Sequence, residues 1–452
     1  MGRRSINAAQ TATLTPSMTS LLLFRLFLAT APYAEELPVE CPHEFEGRIV
    51  RQIALRGYET TEEVVIRREL RHRLGEPFRC RAWLQEYKRL HNLDIFASIA
   101  LRVAAVEHGV ELHYTLKELP LLLPYPSIKR TDQDGWLVGL GGTTLNLFGR
   151  AFRIDFSGRF GGHPFFRTRE MLLYTASQWL GGLPIGHEAW FQIIDTYNAL
   201  KLFADKSMFL TVEFYPRFVE RLEGIVGGGF VRVRHTPGAA YEFLGAGNAD
   251  FIPQLTVGMR RDGHDDRGDP RAGVYSELRF TQHGGFLGGP ANFQEFLLDL
   301  RGTTTFLKKH ITMAFVLARQ RSGEVPFYEW LHVGGPNTLR AYNPNPARHG
   351  DSEMLGGLEY RYALFERRPF SLFGVHAYAG LQIVAGADVA LLWDTDAFAE
   401  RRGFGAAFLG FHLVLPGVQR FRVEFGIQED ARTVGLTVGL YERTAIQRWR
   451  VR

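Results

Sequence analysis

The sequence contains a single arginine between apolar neighbours in a stiff, aromatic-rich stretch. Arg340 follows Leu339 in PFYEWLHVGGPNTLRAYNPN, residues 326–345. A guanidinium carries five N–H donors in a fixed fork, which suits paired contacts with carboxylates away from water. The Gly-Gly step before it permits tight backbone angles, and the two Asn-Pro steps after it keep the chain extended. Taken by itself, an isolated arginine in such a stretch is typical of a solvated loop.

A second candidate is the acidic stretch GHDDRGD at 263–269, where His264, Asp265 and Asp266 could be grouped as metal ligands. The spacing is not that of a calcium loop, and neighbouring residues of a strand point to opposite faces. We therefore interpret the stretch as a solvated hairpin loop. The sequence contains no nucleophile elbow or phosphate loop. We predict no catalytic residues, no cofactor and no metal.

The composition favours strands over helices. The 452 residues include 48 Gly, 35 Phe and 16 Tyr, a mixture typical of glycine-rich strands and turns with aromatic anchors. The net charge of +5 is small against 53 basic and 48 acidic residues. No basic stripe alternates with aromatic residues, so nucleic acid is not a predicted partner.

The N-terminus has the order of a secretory signal peptide, predicted over residues 1–34. Arg3 and Arg4 precede the apolar stretch LLLFRLFLATAPYA, which ends in small residues near Ala31 or Ala34. A disordered tail is the alternative. If the chain is exported, its only two cysteines, Cys41 and Cys80, can form a disulfide. Two cysteines are too few for a zinc site.

The stretch 45–120 predicts a small β-α-α-β-β domain. RIVRQIALRGY (48–58) alternates as a strand, and TTEEVVIRRELRHRLGEPF predicts a first helix with a Thr60/Glu63 capping box. A second helix is predicted over 81–93. Two alternating runs, 96–107 and 110–119, follow and are joined at His108-Gly109. The prolines of LPLLLPYP (119–126) end the domain.

From residue 127 onward, runs of about ten residues alternate with a period of two, the length that a tilted strand needs to cross a bilayer. The clearest runs are 150–160, 207–218, 274–282, 310–319, 354–365, 404–415, 420–428 and 432–441. At about 20 residues per strand and turn, residues 125–441 predict an antiparallel barrel of on the order of 16 strands. A soluble propeller or double sandwich is the alternative.

The motifs resemble those of a known family. IALRGYETTEEVVIRREL, LHNLDIFASIALRV and VELHYTLKELP resemble a POTRA domain, the periplasmic β-α-α-β-β module. Four later landmarks resemble, in order, the barrel of the BamA, TamA, Sam and two-partner-secretion superfamily, the bacterial surface antigen family. They are TTLNLFGRAFRIDF (143–156), RRDGHDDRGDPRAG (260–273), VPFYEWLHVGGPNTLRAY (325–342) and GADVALLWD (386–394) with 401–426.

The resemblance implies roles for particular residues. It places Arg340 on a loop folded into the barrel lumen, paired with wall acids for which we choose Glu359 and Asp388. The family's glycine after the arginine is Ala341 here, which costs on the order of 1 kcal/mol if that position needs a positive φ. A basic tail, 442–452, follows the closing strand. The remaining motif residues are Gly334, Gly335 and Tyr342 in the loop, and the barrel landmarks Asn146, Gly149, Asp262, Pro270 and Gly273.

The resemblance also implies a function, which is outer-membrane protein assembly through strand pairing at a seam between the first and last strands. We expect the first strand near 135–148 and the last near 432–441, where Gly435 and Gly439 weaken the pairing. The strand 110–119 could pair with an extended client. The implied location is the bacterial outer membrane, with the POTRA domain in the periplasm.

The implied partners are the lipid bilayer, unfolded outer-membrane proteins or a secreted polypeptide, and accessory lipoproteins. Two other functions remain open. One is a two-partner-type polypeptide secretion pore, whose transporters usually carry two POTRA domains where this chain has space for one. The other is a porin or an outer-membrane enzyme, although we predict no enzymatic activity.

Overall fold

A computed structural model describes the chain from residue 41 to residue 440 with short gaps. The described residues are 41–131, 135–161, 168–198, 203–219, 221–239, 241–266, 268–334, 338–340, 342, 348–372, 375–416, 419–428 and 434–440. The predicted signal peptide 1–34 and basic tail 442–452 lie outside these ranges. Among the described residues, no helix combines the length and apolar character needed to cross a membrane.

Residues 41–119, which we call the N-terminal unit, have the predicted element order β-α-α-β-β. The elements are β1 (Val50–Arg56), α1 (Glu63–Arg67), α2 (Cys80–His91), β2 (Phe96–Val106) and β3 (Gly109–Glu118). The sheet order is β1-β3-β2, with β1 parallel and β2 antiparallel to β3. Strand β3 therefore lies in the centre and is paired on both sides. The prediction that 110–119 could add a client strand is wrong.

Helix α2 covers this sheet with an apolar face that carries one buried carboxylate. Trp83 and Leu90 are buried against β3, where Tyr114 lies under the helix. Glu86 is fully buried and accepts hydrogen bonds from the backbone N–H of His72 at 2.6 Å and from Tyr114 Oη at 2.6 Å. A buried charge needs such donors, and here they tie α2 to both the preceding loop and the sheet. A disulfide joins Cys80, the first residue of α2, to Cys41.

The first helix is shorter than predicted, and its capping box does not form. Helix α1 begins at Glu63 with no side-chain cap. Thr60 donates instead to Glu118, from its backbone N–H at 3.0 Å and from Oγ1 at 2.8 Å. The reason is a long-range competitor, because the carboxylate at the end of β3 takes the donors that a cap would have used.

The rest of the described chain contains a sixteen-stranded antiparallel sheet, which we call the ring. Its strands are β4 (Leu122–Thr131), β5 (Gly135–Leu147), β6 (Phe152–Gly161), β7 (Thr168–Ser177), β8 (Ile185–Asn198), β9 (Phe203–Val219), β10 (Leu222–Arg234), β11 (Ala249–Asp262), β12 (Gly273–Gly284), β13 (Asn292–Phe306), β14 (His310–Glu324), β17 (Ser352–Leu372), β18 (Val375–Trp393), β19 (Arg402–Leu415), β20 (Gln419–Gln428) and β21 (Val434–Leu440). Two short strands, β15 (Leu331–His332) and β16 (His349–Gly350), pair with each other in the connection between β14 and β17.

Each ring strand pairs with its neighbours in chain order, and β21 returns to β4. In the described residues this last contact is a single pair, Val438 opposite Arg130. The strand that meets β21 is β4, and the predicted first strand 135–148 corresponds to β5, the second. The error has a clear cause, since Pro124 and Pro126 were taken to end the preceding domain. Proline is tolerated in a strand at a sheet edge, which is the position of β4.

We predict that the Glu118 carboxylate holds the start of α1 in place above acidic pH. Burial alone would raise the pKa of Glu118, but hydrogen bonds from Thr61 and Thr60 outweigh it and lower the pKa. A lowered pKa in the folded state means that the stabilisation is present above the usual carboxyl pKa and is lost as the pH falls through the folded value. Glu118→Gln should reduce protection of the Thr60 and Thr61 amides about fivefold, for a loss of about 1 kcal/mol.

Hydrogen exchange on the full chain measures this directly. Glu111→Gln, on the same strand, is the matched control and should leave the two amides protected. The prediction fails if Glu118→Gln exchanges these amides at the wild-type rate near neutral pH.

Candidate functional site

The inner loop, residues 325–351, carries Arg340 into the inside of the ring. The pair β15–β16 closes the neck of this loop. Beyond the neck, Gly334 adopts a φ of 128°, which favours glycine, and its N–H donates to Thr338 Oγ1 at 3.0 Å. Arg340 follows as a buried residue. Gly335 and Ala341 lie outside the described residues.

Arg340 is surrounded by carboxylates of the inner wall. Its Nε and Nη2 donate to the two oxygens of Asp388, both at 2.8 Å, in a bidentate pair. Its Nη1 donates to Glu359 at 2.7 Å and to Glu424 at 3.1 Å. The structure thus brings together Arg340 and the two acids chosen from the sequence, and it adds Glu424 from β20. Three strands of the wall, β17, β18 and β20, are tied to one loop residue.

The guanidinium also packs on the face of an aromatic side chain. The Cζ of Arg340 lies 3.4 Å from the centroid of Phe408, so the cation contacts an aromatic surface as well as the acids. Burial would lower the pKa of Arg340, but Asp388 and Glu424 outweigh it and raise the pKa well above its usual value. The residue therefore stays charged at any pH at which the protein folds.

Apolar residues fix the loop on both sides of Arg340. Leu339 and Val333 are fully buried in a cluster with wall residues that include Leu355 and Leu392. Tyr342 is buried too, with its ring 5.9 Å from that of Phe404 and edge-on to it. Arg340 is thus flanked by anchors that exclude water, which strengthens its ion pairs.

Two further arginines and a histidine lie beside the wall acids. Arg361 Nε and Arg420 Nη1 lie 3.5 and 3.7 Å from Glu359 Oε1. His412 Nε2 lies 2.9 Å from Glu424 Oε1. Glu359, His412 and Glu424 are close enough to hold a metal ion. Arg340 Nη1 already lies between the two glutamates, so the guanidinium takes the position of the cation in this group.

The 263–272 loop, between β11 and β12, is not the solvated hairpin loop predicted from the sequence. Asp269 is buried and accepts hydrogen bonds from Arg361 Nη1 and Gln382 Nε2, both at 2.8 Å. Asp266 is bound by Arg367 Nη1 at 3.0 Å. The acidic residues of this loop therefore point to arginines of the ring. The sequence pattern gave no sign of this, because the arginines lie about a hundred residues away in the chain.

The landmark residues of the sequence hold turns in place. Asn146 accepts the N–H of Ala151 at 2.8 Å across the β5–β6 turn, and it donates to Thr61 Oγ1 of the N-terminal unit at 2.8 Å. Gly149 has no room for a side chain, because a Cβ there would lie 2.2 Å from the carbonyl of Thr60. These two residues dock the β5–β6 turn on the N-terminal unit.

The other three landmarks belong to the 263–272 loop or flank it. Asp262 accepts the N–H of His264 at 3.1 Å, and Pro270 O accepts from Arg361 Nη2 at 2.8 Å. Gly273 has a φ of 115° and lies directly against the backbone of Gly263. Gly435 and Gly439 lie on β21, opposite Gly426 and Arg422 of β20.

Sequence reasoning missed Glu424, Asp269 and the two arginines between them, Arg361 and Arg420. A signal existed for three of these four. In RFRVEFG the charges fall on alternate residues of a predicted strand, and Glu359 and Arg361 repeat the spacing. Alternate charged residues share one face of a strand. That face could have been assigned to the inside of the barrel.

We predict that Arg340→Ala destabilises the folded protein, because it leaves three buried carboxylates without their shared cation. The expected loss is about 3–5 kcal/mol. Arg340→Lys keeps the charge but lacks the forked guanidinium. Its stability should therefore lie between those of the wild type and Arg340→Ala. The measurement is the thermal transition of the full chain in detergent micelles.

Arg348→Ala is the matched control, since Arg348 is a loop arginine that stacks on Tyr342 at 4.5 Å without belonging to this acidic cluster. It should unfold close to the wild-type temperature. A wild-type transition for Arg340→Ala would contradict the structural role of the cluster.

Comparison with known proteins identifies the family. Residues 207–428 match the Omp85 superfamily domain. A search of curated protein sequences gives no match.

Among solved structures, the chain is similar to BamA from Haemophilus ducreyi lacking POTRA domains 1–3, with 13% identity, a TM-score of 0.53 and coverage of 87% of this chain and 84% of the other. CdiB from Acinetobacter baumannii gives 12% identity, a TM-score of 0.55 and coverage of 87% and 74%. CdiB from Escherichia coli gives 12% identity, a TM-score of 0.51 and coverage of 88% of this chain and 77% of the other. These likenesses show a shared fold, and residues 207–428 are an Omp85 superfamily domain.

Proposed function

We propose that this protein is an outer-membrane β-barrel that assists the insertion and assembly of other outer-membrane proteins. In this proposal the seam between β21 and β4 opens and offers its edges to a client strand. The observation that carries the proposal is the weakness of that seam in an otherwise continuous ring. The proposal also needs a membrane-spanning wall, a reason why the lumen is not the route, and a surface for extended clients.

The distribution of side chains supports a wall that faces lipid. On β20, Arg420, Arg422 and Glu424 are buried inside the ring, whereas Phe425 and Ile427 are about half exposed on the outside. Strand β12 repeats the pattern, with Glu277 and Arg279 inside and Leu278 58% exposed. A water-soluble sheet would have the reverse polarity, so this pattern is typical of a transmembrane barrel.

In the described part of the chain a single residue pair joins β21 to β4, far fewer than either strand makes with its other neighbour. Strand β4 pairs with β5 from Leu122 to Thr131, and β21 pairs with β20 over its whole length. Pro124 and Pro126 fall on alternate positions, so their nitrogen atoms face the same side of β4. Since β5 pairs with one side of β4 in an unbroken register, we infer that the proline nitrogens face the opposite side, toward the seam, where neither can donate a hydrogen bond.

A weak seam suits strand templating. Unpaired backbone N–H and C=O groups cost several kcal/mol each in lipid, so a client strand needs a partner edge as it enters. The free edge of β21, with Gly435 and Gly439, could donate and accept those hydrogen bonds. The client would then pair with a strand and avoid exposing its backbone to hydrocarbon.

The inside of the ring is occupied. Arg340 and its anchors fill the space beside β17, β18 and β20, and residues of the N-terminal unit, Leu93 and Asp94, line a cavity together with Arg153 and Arg260 of the inner wall. A route for a polypeptide through the lumen would require removal of the inner loop. A route through the seam would not, and this difference favours assembly over secretion.

The N-terminal unit offers a strand edge, although not the one predicted from the sequence. In the described residues, β2 pairs only with β3, so its outer edge is available between Ala100 and Val106. Phe96 and Ala97, at the start of β2, are buried. We propose that this unit is the periplasmic POTRA domain and that extended clients pair with β2.

We predict that a client strand contacts β21 while it is being inserted. A photo-crosslinking residue at position 436, opposite the outward-facing Phe425 of β20, should capture an unfolded test barrel during its insertion into liposomes. The same residue at Leu298, on the outward face of β13, is the matched control and should capture none.

A seam lock gives an independent test. Cysteines introduced at Arg130 and Val438, the single described seam pair, should stop the capture when oxidised. A disulfide between cysteines introduced at Leu298 and Ala318, which are paired on β13 and β14, should leave the capture unchanged. Capture that persists with the seam locked would contradict templating. Capture of a polypeptide by inner-loop positions would support the secretion pore instead.

A further inference from the structure

A continuous series of ion pairs and hydrogen bonds runs from the N-terminal unit, at one edge of the ring, to Arg340 on the inner loop. Antiparallel strands alternate in direction, so the 263–272 loop (between β11 and β12) and the inner loop (between β14 and β17) begin at opposite edges. The N-terminal unit contacts the first edge, and Arg340 is carried in from the second. The 263–272 loop contacts both the N-terminal unit and the arginines that share an acid with Arg340.

The outer half of this series connects the N-terminal unit to Asp266. His91, the last residue of α2, has its Nε2 3.2 Å from Asp266 Oδ2. Arg367 Nη1 lies 3.0 Å from the same oxygen and 2.9 Å from His91 Nε2. Asn92 Nδ2 donates to the carbonyl of Asp265 at 3.0 Å. Burial would raise the pKa of Asp266, but Arg367 and His91 hold it well below its usual value, so this carboxylate is charged.

The loop itself is braced by its own aspartates. Asp266 Oδ1 accepts the N–H groups of Gly268 and Asp269 at 2.7 and 3.1 Å. Asp265 Oδ1 accepts those of Arg271 and Ala272, both at 3.0 Å. These bonds tie the Asp266 carboxylate to the backbone of Asp269, three residues further on.

The inner half runs from Asp269 to Arg340. Asp269 Oδ1 lies 2.8 Å from Arg361 Nη1 and 3.7 Å from Arg420 Nε. The same two arginines lie 3.5 and 3.7 Å from Glu359 Oε1. The other oxygen of Glu359 binds Arg340 at 2.7 Å. Asp269 and Glu359 therefore share two cations, and Glu359 is in turn shared with Arg340.

We propose that the 263–272 loop couples docking of the N-terminal unit to retention of the inner loop. When the unit is docked, Asp269 is held against Arg361 and Arg420, and Glu359 is left to Arg340. When the unit undocks, Asp269 moves away from Arg361 and Arg420. These two arginines then bind Glu359 more strongly, and the ion pair between Glu359 and Arg340 weakens. Coupling is reciprocal, so release of the inner loop weakens docking by the same factor. This goes beyond the proposed function and does not depend on it.

The test uses the full chain in detergent micelles with one reporter cysteine. Leu339→Cys places a thiol beside Arg340 at a fully buried position, and the two native cysteines are bonded to each other. Its alkylation rate by a water-soluble maleimide measures how often the inner loop leaves. His91→Ala with Asn92→Ala, which removes contacts at the far edge, should raise the rate about tenfold. His108→Ala, on an exposed turn of the same unit, is the control and should not change it.

The Asp269→Asn variant distinguishes coupling from a purely local effect. It should raise the alkylation rate by itself, and adding the His91 and Asn92 changes to it should raise the rate no further. Gln382→Ala, which removes one neutral partner of Asp269, is the milder substitute if Asp269→Asn does not fold. An unchanged rate in the His91 and Asn92 variant would overturn the proposal, as would effects that multiply independently when combined with Asp269→Asn.

The reverse experiment relies on reciprocity. Leu93→Cys reports on docking, because Leu93 is buried and adjoins Asn92. Arg340→Ala should raise alkylation at this position, and Arg348→Ala should not. Alkylation of Leu93→Cys at the same rate in all three backgrounds would overturn the coupling.

Discussion

The desolvation of Arg340 is the constraint on which the inside of the ring depends. Taking a guanidinium out of water costs several kcal/mol, and the cost is recovered only when good acceptors satisfy its donors. Asp388, Glu359 and Glu424 supply those acceptors from three strands. The acids are themselves buried and need further cations, which Arg361 and Arg420 provide. The result is a network in which no member can be removed without leaving another charge uncompensated.

This network explains why a chain with a weak seam can still hold its shape. In the described ring, fifteen of the sixteen junctions between adjacent strands are paired over many residues. The remaining junction, between β21 and β4, has a single residue pair. The ion pairs inside tie the inner loop to β17, β18 and β20, next to the seam strand β21. These ion pairs stabilise the wall from the inside, so the stability of the wall does not depend on pairing at the seam. The structure thus combines a braced wall with the short seam that the proposed function requires.

The period of the sequence predicted much of this fold. Alternation predicted eight of the ring strands, which are β6, β9, β12, β14, β17, β19, β20 and β21. The resemblance to the family motifs led to the pairing of Arg340 with Glu359 and Asp388. The failures share a cause, which is that the deciding partner lies far along the chain. Thr60 failed as a cap because Glu118 takes its donors. The 263–272 loop was predicted to be solvated because Arg361 and Arg420 are not visible from its local sequence. Strand β4 was missed because Pro124 and Pro126 are typical of a domain boundary when only the local sequence is considered.

The most direct test of the central claim is to follow two signals on the same vesicles. Purified full-length protein is reconstituted into liposomes, and both the ion conductance and the folding rate of an unfolded test barrel are recorded against protein-free liposomes. The account predicts faster folding of the test barrel, in proportion to the protein added, with little conductance because the inner loop lies inside the ring. Steady conductance with no change in folding rate would contradict it and would favour a pore.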